Sequence, residues 1–529
     1  MLFTSYEFFG FTAALVLLYY LLPKRCQWPL LLGASCLFYM AAGPRYILYI
    51  LFTALTTWFA GVRMGRNAQN AAAFLKEHKE ELSKEEKKRY KEGRKRVRRR
   101  WLVGCLVLNM GILAVVKYAN FFITNLNSLL TAGGGRGLSF LNLALPLGIS
   151  FYTFQAVGYL VDVYRGTVKA EENPFKFTLF VSFFPQLIQG PISRFGELGE
   201  TLYGPHDFDR KQVCFGLQRM LWGYFKKLVV ADRILAAVMT IIGDVETYQG
   251  AYAAVGMLFY TIQLYADFTG GIDVTIGLAQ TLGISVRENF NRPYFSKSLK
   301  EYWRRWHISM CSWFRDYLFY PLSTSKAMQK FTKFTRKHLG DKVGRRLPVY
   351  VSSFVVWFST GLWHGASWNF IVWGLLNYVV LMVSEELEPL YAGFHRRFSV
   401  EGKFWYRLFQ VGRTFVLICV LNIFDCYASL GETVKAIGSV FTVHNWKVLW
   451  DGSLLALGLT GLDYGILAGG CLMMLGVSLV QRGGSVREKI SAKPYWVKFA
   501  VWYGLFLAVL LMGAYGVGYD ASQFIYNRF

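Results

Sequence analysis

An all-α, polytopic membrane bundle is the fold this 529-residue sequence predicts. Apolar stretches approaching the ~20 residues needed to cross a ~30 Å hydrocarbon core recur from end to end. The composition is 54% hydrophobic and 17% aromatic, with only 17% charged residues, and the mean hydropathy is +0.30. A net charge of +25 is gathered into a few short segments rather than spread over a surface. Helices follow from this setting, because an isolated strand cannot satisfy its backbone in lipid.

In chain order, candidate spans lie near 5–23, 28–43, 46–62, 101–118, 143–163, 175–193, 212–231, 251–283, 348–363, 367–384, 406–424, 463–481 and 497–518. About eleven are expected to cross, and the shorter ones to be tilted, broken or re-entrant. The first run lacks a basic flank and a small-residue cleavage site, and Lys24-Arg25 follow it, so it is expected to stay as a span. No internal repeat or low-complexity linker divides the chain. One membrane-embedded domain over 1–529 is expected, with a motif-bearing core at 145–385 and peripheral helices at 1–118 and 405–518.

The basic residues concentrate in Arg63–Arg100 and Lys326–Arg346. Excess Lys and Arg in short loops marks the cytoplasmic side, so the amino terminus is expected outside and both basic loops inside. No nucleic-acid-binding fold surrounds these runs; topology signalling and attraction of anionic lipid head groups account for them. The eight cysteines, at 26, 36, 105, 214, 311, 419, 426 and 471, are scattered without C-x-x-C spacing and read as small apolar residues.

Chemistry concentrates in 300–321, K-E-Y-W-R-R-W-H-I-S-M-C-S-W-F-R-D-Y-L-F-Y-P, and in 361–369, G-L-W-H-G-A-S-W-N. Ionisable groups at membrane depth are costly and are kept where they line a cavity or react. On a helical wheel Trp306, Met310, Trp313 and Tyr317 share a stripe, so 300–321 reads as one amphipathic, interfacial or tucked-in helix. Of seven histidines, His78, His206, His338, His395 and His444 lie in polar segments and read as solvated. His307 and His364 alone sit among tryptophans in apolar surroundings. No H-E-x-x-H, H-x-x-H or Cys cluster offers further ligands, so no metal is expected and proton transfer by a buried imidazole is preferred.

Three stretches break the lipid-facing pattern with Pro, Gly and polar residues. They are 145–165, 183–194, and the region from Gln263 and Asp267 through E-N-F-N-R-P-Y at 288–294. Broken helices belong where freed backbone lines a cavity. A transporter for polysaccharide precursors would carry such breaks in paired, inverted repeats, and that pairing is absent.

In these residues the chain resembles the membrane-bound O-acyltransferase family, most closely its bacterial alginate O-acetylation branch. The resemblance runs in order through L-P-L-G-I-S-F-Y-T-F-Q (145–155), F-F-P-Q-L-I-Q-G-P-I-S-R (183–194), Y-A-D-F-T-G-G-I-D (265–273), E-N-F-N-R-P-Y (288–294), E-Y-W-R-R-W-H-I-S-M-C-S-W-F-R-D-Y (301–317) and G-L-W-H-G-A-S-W-N-F-I-V-W-G (361–374). Thr269-Gly-Gly and Met310-Cys311 depart from the usual pattern without touching a histidine. The resemblance implies a helical bundle with a central tunnel, His364 as catalytic base and His307 as its polar companion. Trp306, Trp313, Trp363, Asn369, Gln263 and Asp267 are taken with them as substrate contacts. Arg304, Arg305 and Arg315 are candidates for holding donor phosphates, and Asp316 for pairing with an arginine. It further implies an acetyl group taken from cytosolic acetyl-coenzyme A, with no resident cofactor, and passed outward through a bacterial cell membrane to an extracellular polysaccharide. A separate SGNH-type partner would make the last transfer, because the chain has no G-D-S motif. The rival within the family is the D-alanyl branch, which draws on an acyl carrier protein and acts on teichoic acid.

Single cysteines placed in Arg63–Arg100 or Lys326–Arg346 are expected to resist a membrane-impermeant thiol reagent applied to intact cells. Strong labelling of either segment reverses the orientation.

Overall fold

The computed structural model describes residues 3–143, 145–187 and 189–515, and all regular structure among them is helical. Six helical segments are long and apolar enough to cross a membrane unaided: Pro44–Glu77, Lys84–Ala132, Trp368–Glu386, Phe404–Asp425, Gly461–Gly483 and Tyr495–Met512. The remaining apolar stretches of the expected eleven fold as shorter, more polar or interrupted helices. Large apolar side chains stay on the outside of the long ones: Trp496 is 75% and Leu511 74% exposed. In water such a surface would aggregate; in lipid it is solvated.

The chain contacts divide into two compact units, one formed by residues through Val213 with Ala279–Val286, the other by Cys214–Leu278 with the remainder. The first unit packs the helices Tyr6–Leu21, Gln27–Met40, Ile47–Glu77, Lys84–Ala132, Ile149–Arg165 and Pro174–Ser182. Its basic stretch is not a loop. The Ile47–Glu77 and Lys84–Ala132 helices run through nearly all of Arg63–Arg100, leaving a turn at 78–83 that a Ser83–Glu86 capping box closes. His206 is no solvated residue either. Its ring bonds the Tyr19 hydroxyl (2.9 Å), and both its backbone groups bond Gln27. The Gly-Pro-rich motif at 183–194 supplies a buried polar chain, in which Gln155 donates to Gln186 (3.1 Å) and Gln186 to Ser193 (2.8 Å).

The second unit is built around the Ala251–Thr281 helix. Against it lies a helix that starts at Arg210, widens into a π-turn over Phe225–Ala231 and resumes as Asp232–Gly243. Glycines set their spacing. A methyl on Gly223 would come 2.6 Å from the Gly270 carbonyl, and one on Gly270 2.9 Å from that of Gly223. Gly270, the middle residue of Thr269-Gly-Gly, is thus a contact point between two backbones. The wide π-turn brings both Lys226 and Lys227 inward, leaving them 5% and 2% exposed.

The second basic stretch is likewise helical. Lys326–His364 is one long helix, broken at Gly340, whose φ of 76° only glycine adopts freely. It returns as Trp368–Glu386, packed glycine to glycine: a methyl on Gly374 would sit 2.5 Å from the Trp357 carbonyl. Gly374→Ala is therefore expected to cost about 1–3 kcal/mol by overpacking, read as a lower unfolding midpoint in detergent. Gly438→Ala, where a methyl meets nothing within 4 Å, should leave the midpoint unchanged or slightly raised.

Candidate active site

The 300–321 segment is not one amphipathic helix. It forms two short helices, Leu299–Arg305 and Ile308–Phe314, broken at Trp306-His307 and followed by a π-turn over Arg315–Phe319. The break is made by His307, whose φ of 46° and ψ of 51° are left-handed. Among the described residues only Arg292 and His307 are non-glycine residues at positive φ. Such conformations cost about 1–3 kcal/mol and persist where the surroundings enforce them. Here the enforcement comes from the loop at 288–292. Asn291 N–H donates to the Arg305 carbonyl (2.9 Å), Ile308 N–H to the Asn289 carbonyl (3.0 Å), and Ser309 N–H to Asn289 Oδ1 (2.9 Å).

This turn buries His307 completely, at 0% exposure. Its ring lies 4.9 Å from Phe268 and 6.0 Å from Trp363, centroid to centroid. Trp306, freed from the helical stripe, stacks on Tyr302 at 5.5 Å and meets Phe290 edge-on at 4.9 Å.

His364 ends the long Lys326–His364 helix, and extended backbone at Gly365 follows. A side chain at Gly365 would run into the Phe370 ring, and one at Gly361 into the Phe370 carbonyl. The His364 ring packs 4.7 Å from Trp373 and 5.1 Å from Trp363. Trp363 therefore touches both imidazoles. Its two centroid distances, 6.0 Å and 5.1 Å, cap their separation at 11.1 Å. The two imidazoles thus belong to one aromatic cluster, joined through Trp363.

Other residues singled out from the sequence lie elsewhere. Arg304 is exposed, Arg305 pairs with Glu301 (2.5 Å) and Arg315 with Asp316 (2.8 Å). Pairing of Asp316 was expected; the phosphate-holding role of these arginines gains no site. Asp267, at 0% exposure, is an ion-pair partner of Lys227 (2.6 Å), which also binds Asp232 (2.7 Å). It is a structural residue rather than a substrate contact. Asn369 ties its helix to the Tyr427 carbonyl (2.7 Å), Trp313 packs on Tyr317, and Gln263 is buried on the Ala251–Thr281 helix.

Sequence reasoning passed over the basic groups that do face a cavity. A space of about 840 Å³ opens beside the His307 turn, bounded there by Phe290, Asn291 and Ile308. Its lining includes the apolar Met473, Val477, Trp502 and Leu505. Its polar rim holds Arg219, Lys226, Arg292 and Arg487 against Asp273 and Glu288. Neither histidine is itself a lining residue. Asp273 anchors the rim, taking Lys226 at 2.6 Å and Arg219 at 2.9 Å, while Arg219 forks onto Glu288 at 2.5 Å and 2.6 Å. Consecutive lysines in Phe225-Lys-Lys-Leu-Val were the available signal: apolar neighbours with two adjacent charges demand internal partners. No group of three metal-ligating side chains occurs among the described residues.

The sequence model of the membrane-bound O-acyltransferase family matches residues 170–424. The chain is 35% identical over 391 residues to a probable alginate O-acetylase of Pseudomonas aeruginosa, covering 73% of this chain and 66% of that one. It thus spans about two thirds of that relative's length. A probable alginate O-acetylase of Pseudomonas syringae is 31% identical over 472 residues, 88% of this chain and 80% of its own. A peptidoglycan O-acetyltransferase of Helicobacter pylori is 29% identical over 418 residues, covering 73% and 71%.

Asp273→Ala strips buried Lys226 of its counter-charge and Arg219 of one of its two, and is expected to lower stability by about 3–5 kcal/mol. Glu288, whose side chain is 61% exposed, should cost under ~1 kcal/mol as Glu288→Gln. Unfolding midpoints of the two variants in one detergent check the contrast.

Proposed function

The chain belongs to the membrane-bound O-acyltransferase family and is a multi-pass membrane O-acyltransferase, and we propose that it carries acetyl groups from a cytosolic donor outward for O-acetylation of an extracellular polysaccharide. The observation that carries this reading is the pair of imidazoles packed on Trp363. The relatives acting on alginate and on peptidoglycan share O-acetylation by name and differ in acceptor, which supports acetyl as the group and a glycan as its destination.

In this mechanism the acceptor hydroxyl oxygen attacks the acetyl carbonyl carbon. His364 takes the hydroxyl proton, a new C–O bond forms, and the carbonyl oxygen bears the developing charge. His307 holds the acyl group and stabilises that oxyanion by hydrogen bonding. Collapse breaks the thioester C–S bond, and the proton on His364 passes to the departing thiolate. Acetyl-coenzyme A is the donor that suits the neighbouring cavity: four cations against two carboxylates on its rim favour phosphates, and the apolar lining takes an uncharged arm. The amino terminus would face outward and the basic helical segments the cytoplasm, where that donor resides. A separate SGNH-type partner would complete transfer to the glycan.

His364→Ala removes the base but no span. Incubated with radiolabelled acetyl-coenzyme A and the acceptor, the variant is expected to lose about 10²–10⁴-fold in acetyl turnover while remaining inserted and monodisperse. Activity within about threefold of the parent rules out general-base catalysis by His364.

A further inference from the structure

Asn289 is fully buried, at 0% exposure, in the loop that pairs with the His307 turn. Its side chain is held on two sides, and the chemistry of those contacts leaves one assignment. The backbone N–H of Ser309 approaches one terminal atom at 2.9 Å. A backbone N–H only donates, so that atom is the amide oxygen and the other is the NH2. The NH2 faces Nδ1 of His307 at 3.3 Å. An amide NH2 only donates, so Nδ1 presents a lone pair and the single hydrogen of the neutral ring sits on Nε2.

The backbone reinforces this arrangement. The Asn289 carbonyl accepts from Ile308 N–H (3.0 Å), and Asn291 N–H donates to Arg305 (2.9 Å), so the loop brackets His307 on both sides. The left-handed φ of 46° at His307 is what brings its ring beside the Asn289 amide and its neighbour Ser309 over the amide oxygen. One asparagine thus sets both the place of the imidazole and which nitrogen carries its hydrogen.

We infer that Asn289 is a positioning residue that fixes His307 as an Nε2–H hydrogen-bond donor, committing His307 to the acyl oxygen and leaving proton abstraction to His364. The division of labour rests on the acyl-transfer reading above; the tautomer does not. A base needs a lone pair where the substrate is, whereas an oxyanion needs a hydrogen. With Nδ1 occupied by Asn289, His307 offers only the second.

The test uses the full chain in detergent, labelled with ¹⁵N-histidine, at a pH where imidazole is neutral. The His307 Nε2 resonance, identified by its loss in His307→Gln, is expected to be pyrrole-like and that of Nδ1 pyridine-like. Asn289→Asp places a carboxylate oxygen opposite Nδ1, which must then become the donor, and the two resonances should exchange character. In the same variant kcat for acetyl-coenzyme A turnover should fall about 10²-fold with KM little changed. His307→Gln, which keeps an NH2 donor, should retain more activity than His307→Leu. A pyridine-like Nε2 in the parent overturns the inference without any variant having to fold. So does an Asn289→Asp protein whose resonances exchange while kcat stays within about threefold. A parent that shows the expected tautomer but turns over no acetyl-coenzyme A refutes that donor and the role assigned with it, while the positioning by Asn289 stands.

Discussion

In an apolar solvent a charged side chain must find its counter-charge within the protein, and that requirement organises the site-bearing half of this chain. Lys226 and Lys227 enter from the π-turn; Asp267 and Asp273 meet them from the Ala251–Thr281 helix. Neither helix can slide or rotate along the other without stranding a charge, which costs far more than the pair contributes. The glycines at 223 and 270 let the two backbones approach closely enough for the pairs to form. Phe268 lies between the two aspartates in sequence, and it packs on the ring of His307. The ion pairs therefore fix the side of the aromatic cluster on which Phe268 meets His307.

The cluster rests on two backbone features, one of them an exception. His307 occupies a left-handed turn, and His364 terminates a helix at a glycine that has no space for a side chain. Each is held by neighbours: the 288–292 loop at one, the Gly361–Gly374 contact at the other. A left-handed turn sustained by this much surrounding structure, as at His307, is characteristic of positions that must present a group in one orientation.

The family was legible in the sequence, and so was the drawing together of the His307 and His364 segments, which meet at Trp363. Tryptophans and glycines around His364 announce a packed wall, and two histidines among apolar residues stand out against five in polar segments. The turn at His307 was not legible, because it is imposed by Asn289, outside the helix that the wheel describes, and a helical wheel assumes an unbroken helix. The same assumption misdirected the reading of Arg304, Arg305 and Arg315, whose directions change at the break and at the π-turn. Asp267 looked available only because its partner, Lys227, lies in another motif. Basic runs read as loops fold as helices, since Lys and Arg are good helix formers and their charge says nothing against helix.

The position of Trp363 has a consequence for how the site comes into being. The pieces it joins are local in sequence: the 289–309 clamp closes within a few tens of residues, and the helical hairpin through Trp363 and Trp373 closes across one tight turn. Contacts of low sequence separation form early, whereas the meeting of two such pieces waits for the slower search between them. The two imidazoles become neighbours only at that later step. A partly assembled chain therefore has each histidine in its local setting before the two meet, and their meeting waits for the docking of the hairpin on the clamp.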